Sequence, residues 1–79
     1  MTLEQDILEF LEGRGLFASE AKEILGRLKE RPENRSVQWS ESADEYPKTI
    51  SLLIKMNAAA VAVRWIDENA PKQIGRAHV

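Results

Sequence analysis

The chain offers few side chains that could carry out catalysis. It contains no cysteine, and its one histidine is His78. The remaining route to acid–base chemistry is a pair of carboxylates, but Asp44-Glu45 and Asp67-Glu68 are adjacent in sequence, so the members of each pair point about 100° apart on a helix. We find no EF-hand spacing and no glycine-rich phosphate loop after a strand. We therefore predict a protein that is not an enzyme, with no catalytic residues, no metal site and no cofactor.

A group of aromatic, cationic and amide side chains is better suited to binding. Aromatic rings and a cation together can hold a planar anionic ligand, such as a nucleotide, by stacking and charge-assisted hydrogen bonds. Asn57 and Arg64 lie on one side of a predicted long helix with Trp65 beside them, and the other three residues lie near its beginning. The residues predicted to bind a ligand or a partner are Trp39, Tyr46, Lys48, Asn57, Arg64 and Trp65.

Each of these residues also has a structural interpretation. Trp39 is one of two large apolar residues in a polar stretch, so we expect it to fix that stretch to the core rather than to contact a partner. Arg64 is expected to form an ion pair with Glu68 or with an acid of the first helix. Asn57 is expected to be a buried polar residue that sets the register of helix packing.

The long helix that positions these residues is predicted from Tyr46 to Asn69. Pro47 suits a first helical turn, where its missing N–H costs nothing. No glycine or proline occurs between Lys48 and Glu68. Asparagine tolerates the left-handed position at a helix end, and the proline that follows shortly after Asn69 stops the helix.

Apolar residues occupy more than one face of this helix, whereas a surface helix has one broad polar face. At 100° per residue, one apolar stripe contains Ile50, Ile54, Ala58, Val61 and Trp65. A second contains Leu52, Met56, Ala59, Val63 and Ile66. Lys55 interrupts the apolar run too early for a membrane span. The long helix should therefore pack against protein on at least two sides.

Two shorter helices precede the long one. The first is predicted from Leu3 to Glu12, and Thr2 with Gln5 forms a capping-box pattern at its start. The second is predicted from Glu20 to Arg31, with Ser19 as its N-cap. A long polar loop, residues 31–45, then leads to the third helix. The predicted fold class is all-α, with two short helices packed on one long, nearly all-round apolar C-terminal helix.

The two short helices are each roughly 17 Å long, so they can cover only one side of the long helix. The alanines and Val63 on its other side would remain partly bare, and small residues allow close approach of another helix. We therefore predict a homo-oligomer that assembles through the long helix. The predicted oligomer seam consists of Met56, Ala59, Ala60 and Val63.

The last residues resemble a translated DNA adapter rather than a protein sequence. Residues 74–79 read Ile-Gly-Arg-Ala-His-Val. The codons ATC-GGA-AGA-GCA-CAC-GTC, followed by the stop TGA, belong to a common short-read sequencing adapter and encode that peptide. We therefore expect a single helical domain over residues 1–72, a natural chain that continues beyond Lys72, disorder over residues 73–79 and no natural role for His78.

The net charge of −2 argues against a general nucleic-acid binder. From the small size and the suspected origin in mixed environmental or viral DNA, we expect a cytoplasmic phage or mobile-element protein. The expected function is that of an oligomeric adaptor or inhibitor of a host protein, with opposition to host defence as one form of it. The alternative is an oligomeric module that sequesters a small anionic molecule such as a nucleotide.

Overall fold

The computed structural model describes residues 1–69, and these residues form three packed α-helices. They are α1 (Leu3–Gly13), α2 (Ala18–Glu30) and α3 (Lys48–Asn69). The all-α prediction is confirmed, and each short helix packs against the other and against α3. The expectation of disorder over residues 73–79 lies outside the described residues.

The start of α1 forms the predicted capping box. The Thr2 hydroxyl accepts a hydrogen bond from the Gln5 backbone N–H at 3.1 Å, and the Gln5 side chain accepts one from the Thr2 N–H at 2.9 Å. These bonds satisfy donors that the first helical turn leaves without partners. Past the end of α1, Gly15 has a φ of 96°, a left-handed conformation that glycine adopts at little cost.

The start of α2 differs from the prediction. The N-cap is Phe17 rather than Ser19, and Ser19 lies inside the first turn. Phe17 has no side-chain acceptor, so the Glu20 carboxylate compensates by accepting a hydrogen bond from the Phe17 N–H at 2.8 Å. Phe17 is 77% exposed, whereas its neighbour Leu16 is partly buried against the core.

The connection between α2 and α3 is not confirmed as a plain polar loop. It contains two single-turn 3₁₀ helices, Pro32–Asn34 and Ala43–Glu45. The side chain of Asn34 is buried and donates to the Leu28 carbonyl at 3.0 Å, which satisfies an acceptor at the end of α2. Further along, an isolated antiparallel β-bridge joins Ser42 to Thr2. The connection is therefore fixed at both ends.

One hydrophobic core lies between the three helices. Each helix contributes an inward stripe, and the core consists of Leu3, Ile7, Leu11, Ala21, Ile24, Leu25, Leu28, Ile54, Ala58, Val61 and Ala62. Trp39 is partly buried against this cluster, as predicted. Burial of such side chains contributes roughly 25 cal/mol per Å² of apolar surface removed from water, which makes this core the main source of stability.

Acidic residues of α1 form ion pairs with lysines of α2 and α3. The Lys29 ammonium lies 2.9 Å from the Glu4 carboxylate, and the Lys55 ammonium lies 3.3 Å from that of Asp6. Pairs that remain partly exposed contribute only about 0–1 kcal/mol. They therefore help to orient α2 and α3 on α1 more than they stabilise the fold.

By length and composition alone, α3 is also long and apolar enough to cross a membrane, with a mean hydropathy of 1.4 over its most apolar window. Core helices of soluble proteins pass the same test, so this is weak evidence. The observation does show how much apolar surface this one helix carries.

Candidate interaction surface

The apolar residues of α3 divide into a buried set and an exposed set. Ile54, Ala58, Val61 and Ala62 face α1 and α2 and are buried. On the other side, Leu52, Leu53, Met56 and Val63 are each between 56% and 59% exposed. Ile66 is 43% exposed, and Ile50 is 39% exposed. Single exposed apolar residues are ordinary, whereas several on one helix face indicate an interaction site.

Five of the outward residues follow a regular spacing, and we call them the outward stripe. Successive members are separated by four, three, four and three residues, and the stripe consists of Leu52, Met56, Ala59, Val63 and Ile66. This alternation averages 3.5 residues, which is the repeat that lets two helices stay in contact as they coil around each other. Ala59, at the centre, is the smallest member and is half-buried.

The predicted oligomer seam agrees in part with this stripe. Met56, Ala60 and Val63 are exposed, and Ala59 is half-buried, so all four predicted seam residues retain accessible surface. Ala60 lies beside the outward stripe rather than on it. The predicted seam also omitted the two ends of the outward stripe, Leu52 and Ile66. The spacing alone would have added them, because it continues unbroken from Leu52 to Ile66.

The outward stripe contains no charged residue. Lys55 lies within the same stretch of α3, but its ammonium is turned toward Asp6 on α1. The Asp6 carboxylate therefore partly balances the charge of Lys55. The outward stripe is therefore a continuous apolar strip that runs along α3 from Leu52 to Ile66.

The residues predicted to bind a ligand are dispersed over the molecule. Tyr46 uses its hydroxyl locally, because it accepts from the Gln38 backbone N–H at 2.7 Å. Trp39 packs on the core, and the Lys29 ammonium lies 5.9 Å from its ring centroid. Both aromatic side chains near the start of α3 therefore hold the connection in place.

Lys48 lines a depression with a volume of about 570 Å³. This depression also contains the acids Asp6 and Asp44 beside Lys55 and Tyr46. Because the acids offset the two lysines, the depression has no net preference for an anion. It brings together two of the six predicted ligand residues, Tyr46 and Lys48.

Asn57, Trp65 and Arg64, the other three predicted ligand residues, line three different depressions. Asn57 lines a depression of about 400 Å³ together with Tyr46 and Leu53, and it is half-buried rather than buried. Trp65 lines another, beside Phe17 and Ile66, and its indole N–H is buried without a hydrogen-bond partner in residues 1–69. The six residues therefore do not form one nucleotide pocket.

Arg64 lies in a narrow groove between α2 and α3 and does not form the expected ion pair with Glu68. The Glu68 carboxylate instead lies 2.7 Å from the guanidinium of Arg27 on α2. This hydrogen bond is the main reason that the pKa of Arg27 is raised above its ordinary value, and attraction to nearby carboxylates adds to it. The sequence analysis did not single out Arg27 and Arg31, although their i, i+4 spacing places them on one face of the predicted second helix. In the structure, Arg31 is the first residue after α2.

Within residues 1–69, no group of three histidine, cysteine, aspartate or glutamate side chains is placed to hold a metal ion. Comparison with known proteins gives no match to a family model, to a curated protein or to a solved structure. Among the described residues, the outward stripe carries three of the large apolar side chains that are more than half exposed, namely Leu52, Met56 and Val63.

Proposed function

We propose that this protein is a non-enzymatic helical interaction module that self-associates through the outward stripe of α3. The observation that carries the proposal is the exposure of this apolar strip on a helix whose other apolar face is already buried. In a single copy of the chain, the large apolar side chains of the stripe are exposed to water, which is energetically unfavourable. Burying them against a second copy removes that cost.

The spacing of the stripe supports a helix as the partner. A strip that repeats every 3.5 residues fits another helix with the same repeat, and a second copy of this chain supplies one. The same surface then serves both subunits, which is the usual arrangement in a two-fold symmetric dimer. Ala59 at its centre permits close approach of the two helix backbones.

A lipid bilayer is a less suitable partner. To cross a membrane, α3 would have to carry the charged outer surfaces of α1 and α2 into hydrocarbon or separate from them and give up the core. A helix lying on a membrane surface normally has basic residues along its polar face, whereas this chain has a net charge of −2.

The wider proposal is that the assembled protein acts in the cytoplasm as an adaptor or inhibitor that covers a surface of a host protein, as a phage or mobile-element product would. A small oligomer presents each exposed surface more than once, so a partner with repeated sites would bind it with increased avidity. This role rests on the self-association proposed above and on the small size of the chain.

The test is the mass of the native protein, measured by native mass spectrometry and sedimentation over a range of concentrations. We expect a dimer or larger assembly for the unaltered chain. Val63→Glu places a charge in the middle of the apolar stripe and should give a folded monomer. Ala18→Glu adds the same charge at an exposed position of α2 that does not belong to the stripe, and it should leave the assembly unchanged.

A monomer at all concentrations would overturn the proposal, and so would an assembly that survives Val63→Glu. Co-sedimentation of the unaltered monomer with phospholipid vesicles, lost in Val63→Glu, would show that lipid covers the stripe instead. The fold of each variant is checked by its circular dichroism and its unfolding transition, so loss of assembly is distinguished from loss of structure.

The second candidate, an oligomeric module that holds a small anion in its seam, has less support. Its proposed ligand residues lie in several depressions, and the stripe itself is uncharged. Native mass spectrometry tests it in the same experiment, because a small molecule retained in the seam would add its mass to the assembly and be lost in Val63→Glu.

A further inference from the structure

Three arginines surround a single small groove between α2 and α3. Arg27 projects from α2, Arg31 directly follows the end of α2, Arg64 projects from α3, and the volume of the groove is about 150 Å³. Val61, which is 5% exposed, also lines it, as does Glu68. We call this site the arginine groove.

The charge of the arginine groove is opposite to that of the whole chain. Three guanidinium groups and one carboxylate line it, whereas the chain has a net charge of −2. The positive charges of Arg27, Arg31 and Arg64 repel each other across the groove. This concentration of positive charge opposes packing of α2 on α3 unless anions balance it.

The intramolecular carboxylates balance it incompletely. Glu68 pairs with Arg27 at 2.7 Å, and Glu33 pairs with Arg31 at 2.8 Å. Within residues 1–69, no carboxylate lies within ion-pairing distance of Arg64. Both existing pairs are also more than a third exposed to solvent, so an external anion can compete for the arginines.

We propose that the arginine groove binds a phosphate group, either as free phosphate or as the phosphate of a nucleotide or polyphosphate. The guanidinium is a planar fork of N–H donors that matches two oxygens of a phosphate, and arginine is used where such two-point recognition matters. A tetrahedral oxyanion can accept from several guanidinium groups at once, which a single planar carboxylate cannot do as well. The groove, with a volume of about 150 Å³, is large enough to hold one phosphate group.

In this proposal, Glu68 is a competitor that the ligand displaces. Its carboxylate occupies the donors of Arg27 in the free protein. When phosphate binds, Glu68 is expected to turn toward solvent, where its side chain is already 57% exposed. Removing the charge of Glu68 should therefore strengthen phosphate binding, which is not expected of a groove whose ion pair is only structural.

The phosphate site is independent of the proposed self-association. Arg64 and Val63 are adjacent in sequence, so their side chains point about 100° apart around α3. Val61 lies at the groove in the buried face, while Val63 lies on the outward stripe. The Val63→Glu variant should therefore retain phosphate binding even as a monomer, and failure of one proposal leaves the other intact.

The test is isothermal titration calorimetry at low ionic strength with inorganic phosphate, tripolyphosphate, AMP and ATP. We expect saturable binding with one site per chain. Arg64→Ala should weaken it by about tenfold or more, the loss expected for one charge-assisted contact. Arg64→Lys should recover only part of the affinity, because lysine keeps the charge but lacks the fork. Glu68→Gln should bind more tightly than the unaltered protein.

Lys22→Ala is the matched control. It removes one positive charge from an exposed position on α2, and Lys22 does not line the arginine groove. Its affinity for phosphate should equal that of the unaltered protein. Equal affinities for tripolyphosphate and ATP would identify the phosphates alone as the recognised group, and a higher affinity for ATP would show that the nucleoside is contacted too.

The proposal is overturned if no phosphate compound binds, or if Arg64→Ala and Lys22→Ala weaken binding equally, since equal losses indicate general attraction of polyanions. It is also overturned if Glu68→Gln weakens binding. Arg64 is exposed, so Arg64→Ala should fold. The thermal unfolding of each variant without ligand confirms this before the affinities are compared.

Discussion

The helices α2 and α3 use their apolar residues differently. In α2, the apolar stripe Ala21, Ile24, Leu25 and Leu28 is entirely buried, and each of these residues is 3% exposed or less. In α3, apolar residues occupy both sides, and only Ile54, Ala58, Val61 and Ala62 are buried. The packing of a single chain therefore buries the apolar stripe of α2 but leaves Leu52, Leu53, Met56 and Val63 of α3 more than half exposed.

The two faces of α3 also differ in side-chain size. Two of the four buried residues are alanine, whereas the outward side carries Leu52, Leu53 and Met56. Small inward residues let α1 and α2 approach the axis of α3 closely. The larger side chains are placed where no partner exists within residues 1–69. If the outward face were only solvent-exposed surface, polar residues would serve it better, so its composition indicates a second contact.

The largest expected effect compares two leucines, Leu28 in the core and Leu52 on the outward stripe. In a Val63→Glu background, where self-association is removed, Leu28→Ala should lower the free energy of unfolding by about 2–5 kcal/mol, because a cavity remains in the core. Leu52→Ala should change it by less than about 0.5 kcal/mol. Urea denaturation followed by circular dichroism measures both. In the otherwise unaltered chain, Leu52→Ala should instead weaken assembly.

Similar losses for the two leucines in that background would contradict the proposed division of α3. Such a result would mean that Leu52 is buried by the chain itself. The outward stripe would then have no exposed apolar surface at Leu52 for a second copy to bury.

A smaller effect distinguishes the two faces of α3 through its alanines. Ala58 is fully buried, whereas Ala60 is exposed. In the same Val63→Glu background, Ala58→Leu should overpack the core and cost about 1–3 kcal/mol, while Ala60→Leu should be nearly neutral. Thermal and urea unfolding of the two variants test this difference. An equally mild effect at Ala58 would show that α3 can shift outward from α1 and α2.

Much of the fold follows from the sequence because local signals agree with burial. The capping box at Thr2, the apolar stripe of α2 and the proline before α3 each predict an element that is present. The N-cap of α2 could not be predicted as well. Serine is the better N-cap by preference, but the Glu20 carboxylate accepts from the Phe17 N–H, and the helix begins two residues earlier than predicted.

The candidate sites were less predictable than the fold. Which apolar face of α3 is covered depends on tertiary packing, and its sequence carries two similar stripes. The arginine groove depends on contacts between helices distant in sequence, because Arg27 and Glu68 are 41 residues apart. Sequence proximity favours a pair between Arg64 and Glu68 on one helix, yet the arginine on α2 takes that carboxylate.

The smallest expected effect concerns Glu33, in the 3₁₀ helix that follows α2, and the state of the arginine groove. The pKa of Glu33 is lowered because its own backbone N–H and then the Arg31 guanidinium stabilise its carboxylate. The contribution of Glu33 to stability is therefore present above the pKa of the unfolded chain and is lost as pH falls through the lower pKa of the folded state. Arg31→Ala should raise this pKa toward its ordinary value, although the backbone contribution remains, and an NMR titration of the Glu33 carboxyl group measures it.

Tripolyphosphate should shift the pKa of Glu33 upward in the unaltered protein by drawing Arg31 into the groove. No shift with bound tripolyphosphate would show that Arg31 stays paired with Glu33 and that Arg27 and Arg64 hold the phosphate without it.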